Sequence, residues 1–315
     1  MTGSELISLF KQGGKRCLVI GTFDNGIIAG LDLEGRLYAV MDGVVLNRVN
    51  PAAITGISTR AGYLNPGGDG LWAAPEGTAM GYQYATGNWR VSPGLTGARF
   101  LVTAEDPGHA VMEAEIDLIN ARGTGLPTIF RRDITVASDA GRLTVKVIES
   151  IRYLGSKPLS RAEVLLAPWS LCQFDCGPGC EVVFPADHAE IRDLYDPSEN
   201  CRFEKNGLVH TRTDGTQRYQ IGLGKGVPWI ELRKPAEYLT VRRSASPLVP
   251  GQSYIDIADA LPTVAPLMPG ARYSVYSDAG GFMEIEAAGG MPAELLPETE
   301  LLLEITTEYR KTNIF

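Results

Sequence analysis

The chain has 315 residues, an apolar fraction of 44%, a formal net charge of −8 and a pI of about 5.1. Its basic residues are scattered or at most paired, as in Arg131-Arg132 and Arg242-Arg243, which argues against nonspecific binding to nucleic acid or to an anionic membrane. No apolar run is long enough for a membrane helix, the cysteine count is odd, and Met1 to Gly14 lacks the basic-then-apolar order of a signal peptide, so the expectation is a cytoplasmic protein.

The amphipathic start, Ser4 to Gln12, predicts a helix. Alternating runs over 16–20, 27–33 and 36–41 predict strands, the last two joined as a hairpin through Asp32 to Gly35. Asn65 to Gly77 follows, with four glycines and two prolines, and predicts an irregular loop. Strands are expected over 99–103, 110–119, 129–137 and 143–153. The last shows clear alternation in Leu143, Val145 and Val147. Further strands are expected over 162–166, 181–184, 208–213, 217–223, 238–243, 273–277, 282–287 and 300–309, with a second helix candidate at 187–195. Many short strands among 36 glycines and 20 prolines indicate an all-β fold, a sandwich or barrel. The length and the lack of a linker suggest one large antiparallel sandwich domain over 1–315, without repeats or low-complexity tracts.

Nucleotide-binding, zinc-protease and serine-hydrolase motifs are absent from the sequence. The spacing of Cys172, Cys176 and Cys180 is not that of a zinc knuckle, so these read as loop cysteines, and no metal or cofactor is expected. Of the three histidines, His109 reads as a turn residue, His188 as loop, and His210, on a strand, as the one best placed to act. In the loop 65–77, Trp72 stands with Asp69 and Glu76 on either side of it. A ring that stacks on a sugar face, beside carboxylates that take hydroxyls, is the chemistry of a carbohydrate site. The competing reading is a tight surface turn anchored by its tryptophan. On the strand 282–287, Glu284 and Glu286 share a face by period two. Neighbouring carboxyls raise each other's pKa and so suit acid–base work. The competing reading is an exposed face, with Met283 and Ile285 inward. Trp89 and Trp229 read as core or interface, and Arg132 pairs with Asp133 or Glu149 if it has no ligand.

Four stretches in this order resemble the galactose-mutarotase-like β-supersandwich superfamily, in its bacterial branches. They are Gly35 to Val40 with Gly43 to Asn50; Asn65 to Gly77; Gly125 to Val136 with Ala167 to Gln173; and Phe282 to Glu286 with Leu296 to Glu300. The resemblance implies an aldose 1-epimerase-like isomerase, in which a carboxylate takes the anomeric hydroxyl proton and a histidine protonates the ring oxygen. Glu284 matches the base by position, with Glu286 as the register alternative. The expected histidines are missing: Gly67-Gly68-Asp69 stands at the first and Trp169 with Gln173 at the second. Asp69, if burial raises its pKa, or His210 then becomes the acid, with Arg132 and Gln173 as hydroxyl binders. The alternative is a non-catalytic carbohydrate-binding protein. There Trp72 and Trp169 stack on the sugar, and Glu76, Arg132 and Gln173 hydrogen-bond to it. Either way the partner is a small carbohydrate and no cofactor is implied.

Overall fold

The computed structural model describes residues 1–59, 62–187 and 189–312. Two ten-stranded antiparallel sheets make up most of it. The first sheet runs, edge to edge, through Cys17–Gly21, Gly26–Gly30, Arg36–Met41, Asp69–Ala74, Ala167–Asp175, Phe282–Ala288, Tyr273–Asp278, Tyr219–Leu223 and Ile191–Asp193, with Val44–Val45 paired to Arg36–Met41. The second runs through Arg202–Lys205, Leu208–Arg212, Glu181–Pro185, Ile230–Lys234, Leu239–Ala245, Glu300–Lys311, Arg142–Tyr153, Gly125–Asp139, His109–Ile119 and Leu101–Asp106. This is the all-β sandwich that the alternating runs imply.

The two sheets bury their facing sides differently. Arg142–Tyr153 in the second sheet alternates, with Leu143, Val145 and Val147 buried and Lys146 exposed, as a sheet with one wet face requires. The central strands of the first sheet are buried on both faces. In Ala167–Asp175 every residue but the last is buried. One face packs on the second sheet, where Phe174 meets Tyr309 with ring centroids 6.5 Å apart. The other face floors a cavity, and that placement decides what the sheet can do.

The helix Gly3–Gln12 forms as expected. Thr2 and Glu5 make a reciprocal capping box at its start, and Leu6 and Phe10 pack with Ile28, Tyr38 and Val40 as a small second core. Three expectations fail. Asp69–Ala74, expected as loop, is a regular strand buried along its length. Irregular backbone flanks it, and before it Gly67 and Gly68 are both at positive φ; a Cβ on Gly67 would lie 2.1 Å from the Arg48 carbonyl oxygen. The segment 162–166 is turn and loop, tied at Ser160 by the Glu163 carboxylate, and the strand starts at Ala167. Among the described residues of 187–195 no helix forms: Ile191–Asp193 instead pairs at the sheet edge with Tyr219–Leu223. His188 lies outside the described residues. Ile230–Lys234 is a strand that periodicity did not single out. Among the described residues no helix is long and apolar enough to cross a membrane.

Candidate functional site

Strand parity and register assemble the site. Trp72 pairs with Trp169 across neighbouring strands. Two rows further, Gln173, Glu284, Tyr276 and Gln220 stand side by side on four consecutive strands, each the register partner of the next. Period two keeps Leu171 and Glu286 on this same face. All of these line one cavity of about 350 Å³. Tyr63, Glu76, Trp89, Tyr195 and Asp259, none of them on the floor strands, complete its walls together with Arg218, which immediately precedes the Tyr219–Leu223 strand.

The aromatic wall is held edge to face. Trp72 and Trp169 have ring centroids 6.0 Å apart and planes at 83°, and Tyr63 meets both Trp72 and Trp89 in the same manner. Trp89 donates its indole N–H to Glu76 Oε1 at 2.8 Å. Arg218 Nε donates to the Tyr276 hydroxyl at 3.1 Å, and its guanidinium lies 4.4 Å from the Tyr195 ring centroid.

The carboxyls of this cavity are held by neutral donors. Gln173 Nε2 donates to Glu284 Oε1 at 2.7 Å. Trp169 Nε1 donates to Glu286 Oε2 at 3.0 Å, and Gln220 Nε2 reaches both Glu286 oxygens at 3.3 Å. Burial, and then the neighbouring Glu286, push Glu284 well above the usual carboxyl range. Burial also raises Glu286, but hydrogen bonds from Glu284, Trp169 and Gln220 favour its charged form. Burial thus biases both carboxyls of the pair toward the protonated form, Glu284 with the added influence of its neighbour. Burial, then Asp259, push Glu76 up to about 8.

Three polar atoms of the cavity lining, Trp72 Nε1, Gln173 Oε1 and Gln220 Oε1, are buried without a hydrogen-bond partner in the protein. Such orphans are rare in folded proteins, and these three belong to residues that line one cavity.

The structure thus places Trp72, Glu76, Trp169, Gln173, Glu284 and Glu286 together around one cavity. It places Asp69, Arg132 and His210 elsewhere. Asp69 is three residues from Trp72 on a regular strand, so it points to the opposite face, between the sheets. There Arg132 Nη2 lies 3.1 Å from Asp69 Oδ1 and 2.6 Å from Glu149 Oε1, and Arg243 Nη2 lies 3.0 Å from Asp69 Oδ2. Burial works to raise Asp69, but Arg243 and Arg132 outweigh it and hold the carboxyl below its ordinary range. A carboxylate clamped in this way is not a proton donor. Arg132 has no access to the cavity. Its pairing with Glu149 is buried, not the surface pair anticipated for it. His210 belongs to the second sheet, where Nδ1 lies 2.9 Å from Glu181 Oε2 and the ring stacks on Phe203. Of the cysteines, Cys172 is buried between the sheets near Tyr309, while Cys176 is half-buried, its thiol pushed up to about 11 first by burial and then by Cys180.

Sequence reasoning missed Trp89, assigned to core or interface, along with Tyr195, Arg218, Gln220, Asp259 and Tyr276. Period two on the strands 217–223 and 273–277 groups Gln220 with Arg218 and fixes the face of Tyr276, but only the pairing order brings those strands beside Glu284. Trp89 and Asp259 arrive on loops and carry no periodic signal.

No protein-family model matches the sequence. No curated protein matches it either. Solved structures do match its fold. A galactose mutarotase-like protein from Lactobacillus casei is 10% identical, with a TM-score of 0.58, covering 94% of this chain and 100% of its own. A candidate aldose 1-epimerase from Klebsiella pneumoniae is 11% identical, with a TM-score of 0.58, covering 95% of this chain and 80% of its own. A candidate aldose 1-epimerase from Escherichia coli K12 is 10% identical, with a TM-score of 0.55, covering 95% of this chain and 100% of its own. The chain therefore has the galactose-mutarotase-like supersandwich fold.

Proposed function

We propose that this cavity binds an aldose and interconverts its anomers, the whole chain acting as one domain. The observation that carries the reading is the set of buried, unpartnered polar atoms beside a tryptophan wall and a buried carboxyl pair. A sugar supplies what each part lacks. Its apolar ring face packs on the tryptophan wall, whose most exposed ring is Trp89, and its hydroxyls hydrogen-bond to the polar lining.

In this reading Glu286 takes the proton from the anomeric hydroxyl. The C1–O1 bond becomes a carbonyl as the C1–O5 bond breaks. The electron pair moves to the ring oxygen, which receives the proton held by Glu76. Rotation about C1–C2 and reversal of both transfers close the ring as the other anomer, so atoms and charge balance. Base and acid need separated pKa values at one pH, and the pair with Glu284 and the site beside Asp259 support that division. Asp69 and His210 drop out as acids, and Glu76 takes the role first given to them. The fold shared with proteins named as mutarotase-like and epimerase candidates is compatible with this chemistry and supplies the scaffold alone.

A second reading, a non-catalytic carbohydrate-binding protein, is favoured by one observation: no histidine lines the cavity among the described residues. Anomer exchange followed by NMR saturation transfer separates the two. Acceleration of α/β interconversion for any of a panel of aldoses supports the isomerase. Ligand contact at the spontaneous rate supports the binding protein.

A further inference from the structure

We infer that the aldose bound here carries a protonated amine, seated against Glu284 between Gln173 and Gln220. The inference rests on the carbohydrate reading above and narrows its substrate class.

The hydrogen-bonding polarity of the cavity is one-sided. Glu76, Asp259, Asp278, Glu284 and Glu286 line it, against Arg218 as the single cationic side chain. Arg218 is already engaged by Tyr276 and stacked on Tyr195. Arg36, the next cation, lies behind Trp72 and pairs with Glu34 at 2.8 Å. Two of the three orphaned polar atoms are amide oxygens, which only accept, and their side chains are each 2% exposed. Both amides donate to the carboxyl pair, so neither amide oxygen is engaged by it. Acidic side chains therefore outnumber basic ones in the lining.

A neutral hydroxyl donates once and also accepts. An ammonium donates three times and accepts nothing. It matches this lining, and it gains from the faces of the surrounding aromatic rings. A uronic acid or a sugar phosphate brings further acceptors and negative charge, which the same lining repels.

Seating the ammonium beside Glu284 also changes the carboxyl pair. The proton that Glu284 holds under the influence of burial and Glu286 is displaced to solvent, and the cation takes its place. Both carboxyls are then charged, and Glu286 is ready to accept the anomeric proton. The substrate's own charge thereby switches on the base.

Isothermal titration of the intact protein at pH 7 with glucosamine, glucose and glucuronate tests this. Glucosamine is expected to bind about tenfold or more tightly than glucose, with glucuronate weakest. Titrations in buffers of different ionisation enthalpy should show proton release with glucosamine and none with glucose. In the folded Glu284→Gln variant, confirmed by circular dichroism, glucosamine and glucose should bind alike. Glucose binding as tightly as glucosamine, or glucuronate binding best, overturns the inference and leaves the carbohydrate reading standing. No binding of any of the three sugars also overturns the inference, and anomer exchange on the wider aldose panel then decides the carbohydrate reading.

Discussion

The two faces of the central sheet treat buried charge in opposite ways. Between the sheets, Asp69 and Glu149 meet Arg132 and Arg243, so acids and guanidiniums balance, and Asp69 is driven below its ordinary range. On the cavity face, the acids meet amides, an indole and one another, and Glu284 and Glu76 are driven upward. Both sets are buried. What differs is the partner: buried acids paired with guanidiniums stay charged and are costly to unpair, whereas unpaired acids retain protons that chemistry can use.

The largest effect that would test this contrast is on stability. Asp69→Ala leaves the buried Arg243 guanidinium without a carboxylate and Arg132 with Glu149 alone, and should lower unfolding free energy by about 3–5 kcal/mol. Glu284→Gln, which removes a strained acid, should cost little or stabilise. Denaturant titration of both variants measures the difference, and equal losses would sink the contrast. Next in size is catalysis. Glu286→Gln should slow anomer exchange by about 10²–10⁴-fold, the range for one lost proton-transfer group, and NMR exchange spectra at saturating sugar read it. An unchanged rate removes Glu286 as the base.

The pH dependence sharpens the comparison further. Glu76 is raised from an ordinary carboxyl value to about 8 by burial and Asp259. The folded state therefore binds the proton more tightly than the unfolded state. Its contribution to stability is fully present below the ordinary carboxyl pKa and is lost as pH rises toward 8. Glu76→Gln should flatten that part of the profile of Tm against pH. It should also abolish the fall in exchange rate above about pH 8 expected of the wild type, with the residual rate low throughout. The smallest effect should come from His210→Ala. His210 contacts Glu181 and Phe203 on the second sheet, and the expected exchange rate is that of the wild type.

Much of the site was legible wherever a regular strand made parity decisive. Glu284 with Glu286, and Trp169 with Gln173, share faces that period two assigns without further help. Trp72 and Asp69 show where the reading slipped. Taken as a loop, the segment set both residues toward one ligand; as the strand Asp69–Ala74 it sends them to opposite faces. Of the four glycines that suggested a loop, Gly67 and Gly68 belong to the turn just before the strand, Gly70 lies within it and Gly77 after it. The sheet order, and with it the row from Gln173 to Gln220, depends on pairing between strands far apart in sequence. Local propensity carries no record of such pairing. Loop contributors such as Trp89, Tyr195 and Asp259 are placed by where their anchoring strands end.

The clustering of indoles has a spectroscopic consequence. Of the four tryptophans in the chain, Trp72, Trp89 and Trp169 line the cavity. Trp229 lies apart, under the Arg242 guanidinium at 4.1 Å. Trp89 and Trp169 each donate their N–H to a glutamate whose protonation changes with pH or with an incoming cation. Emission of the unlabelled protein therefore reports on the carboxyls themselves, with Trp229 as a steady background. A ligand that displaces a proton changes the brightness of the chain, and a fluorimeter can follow that exchange in real time.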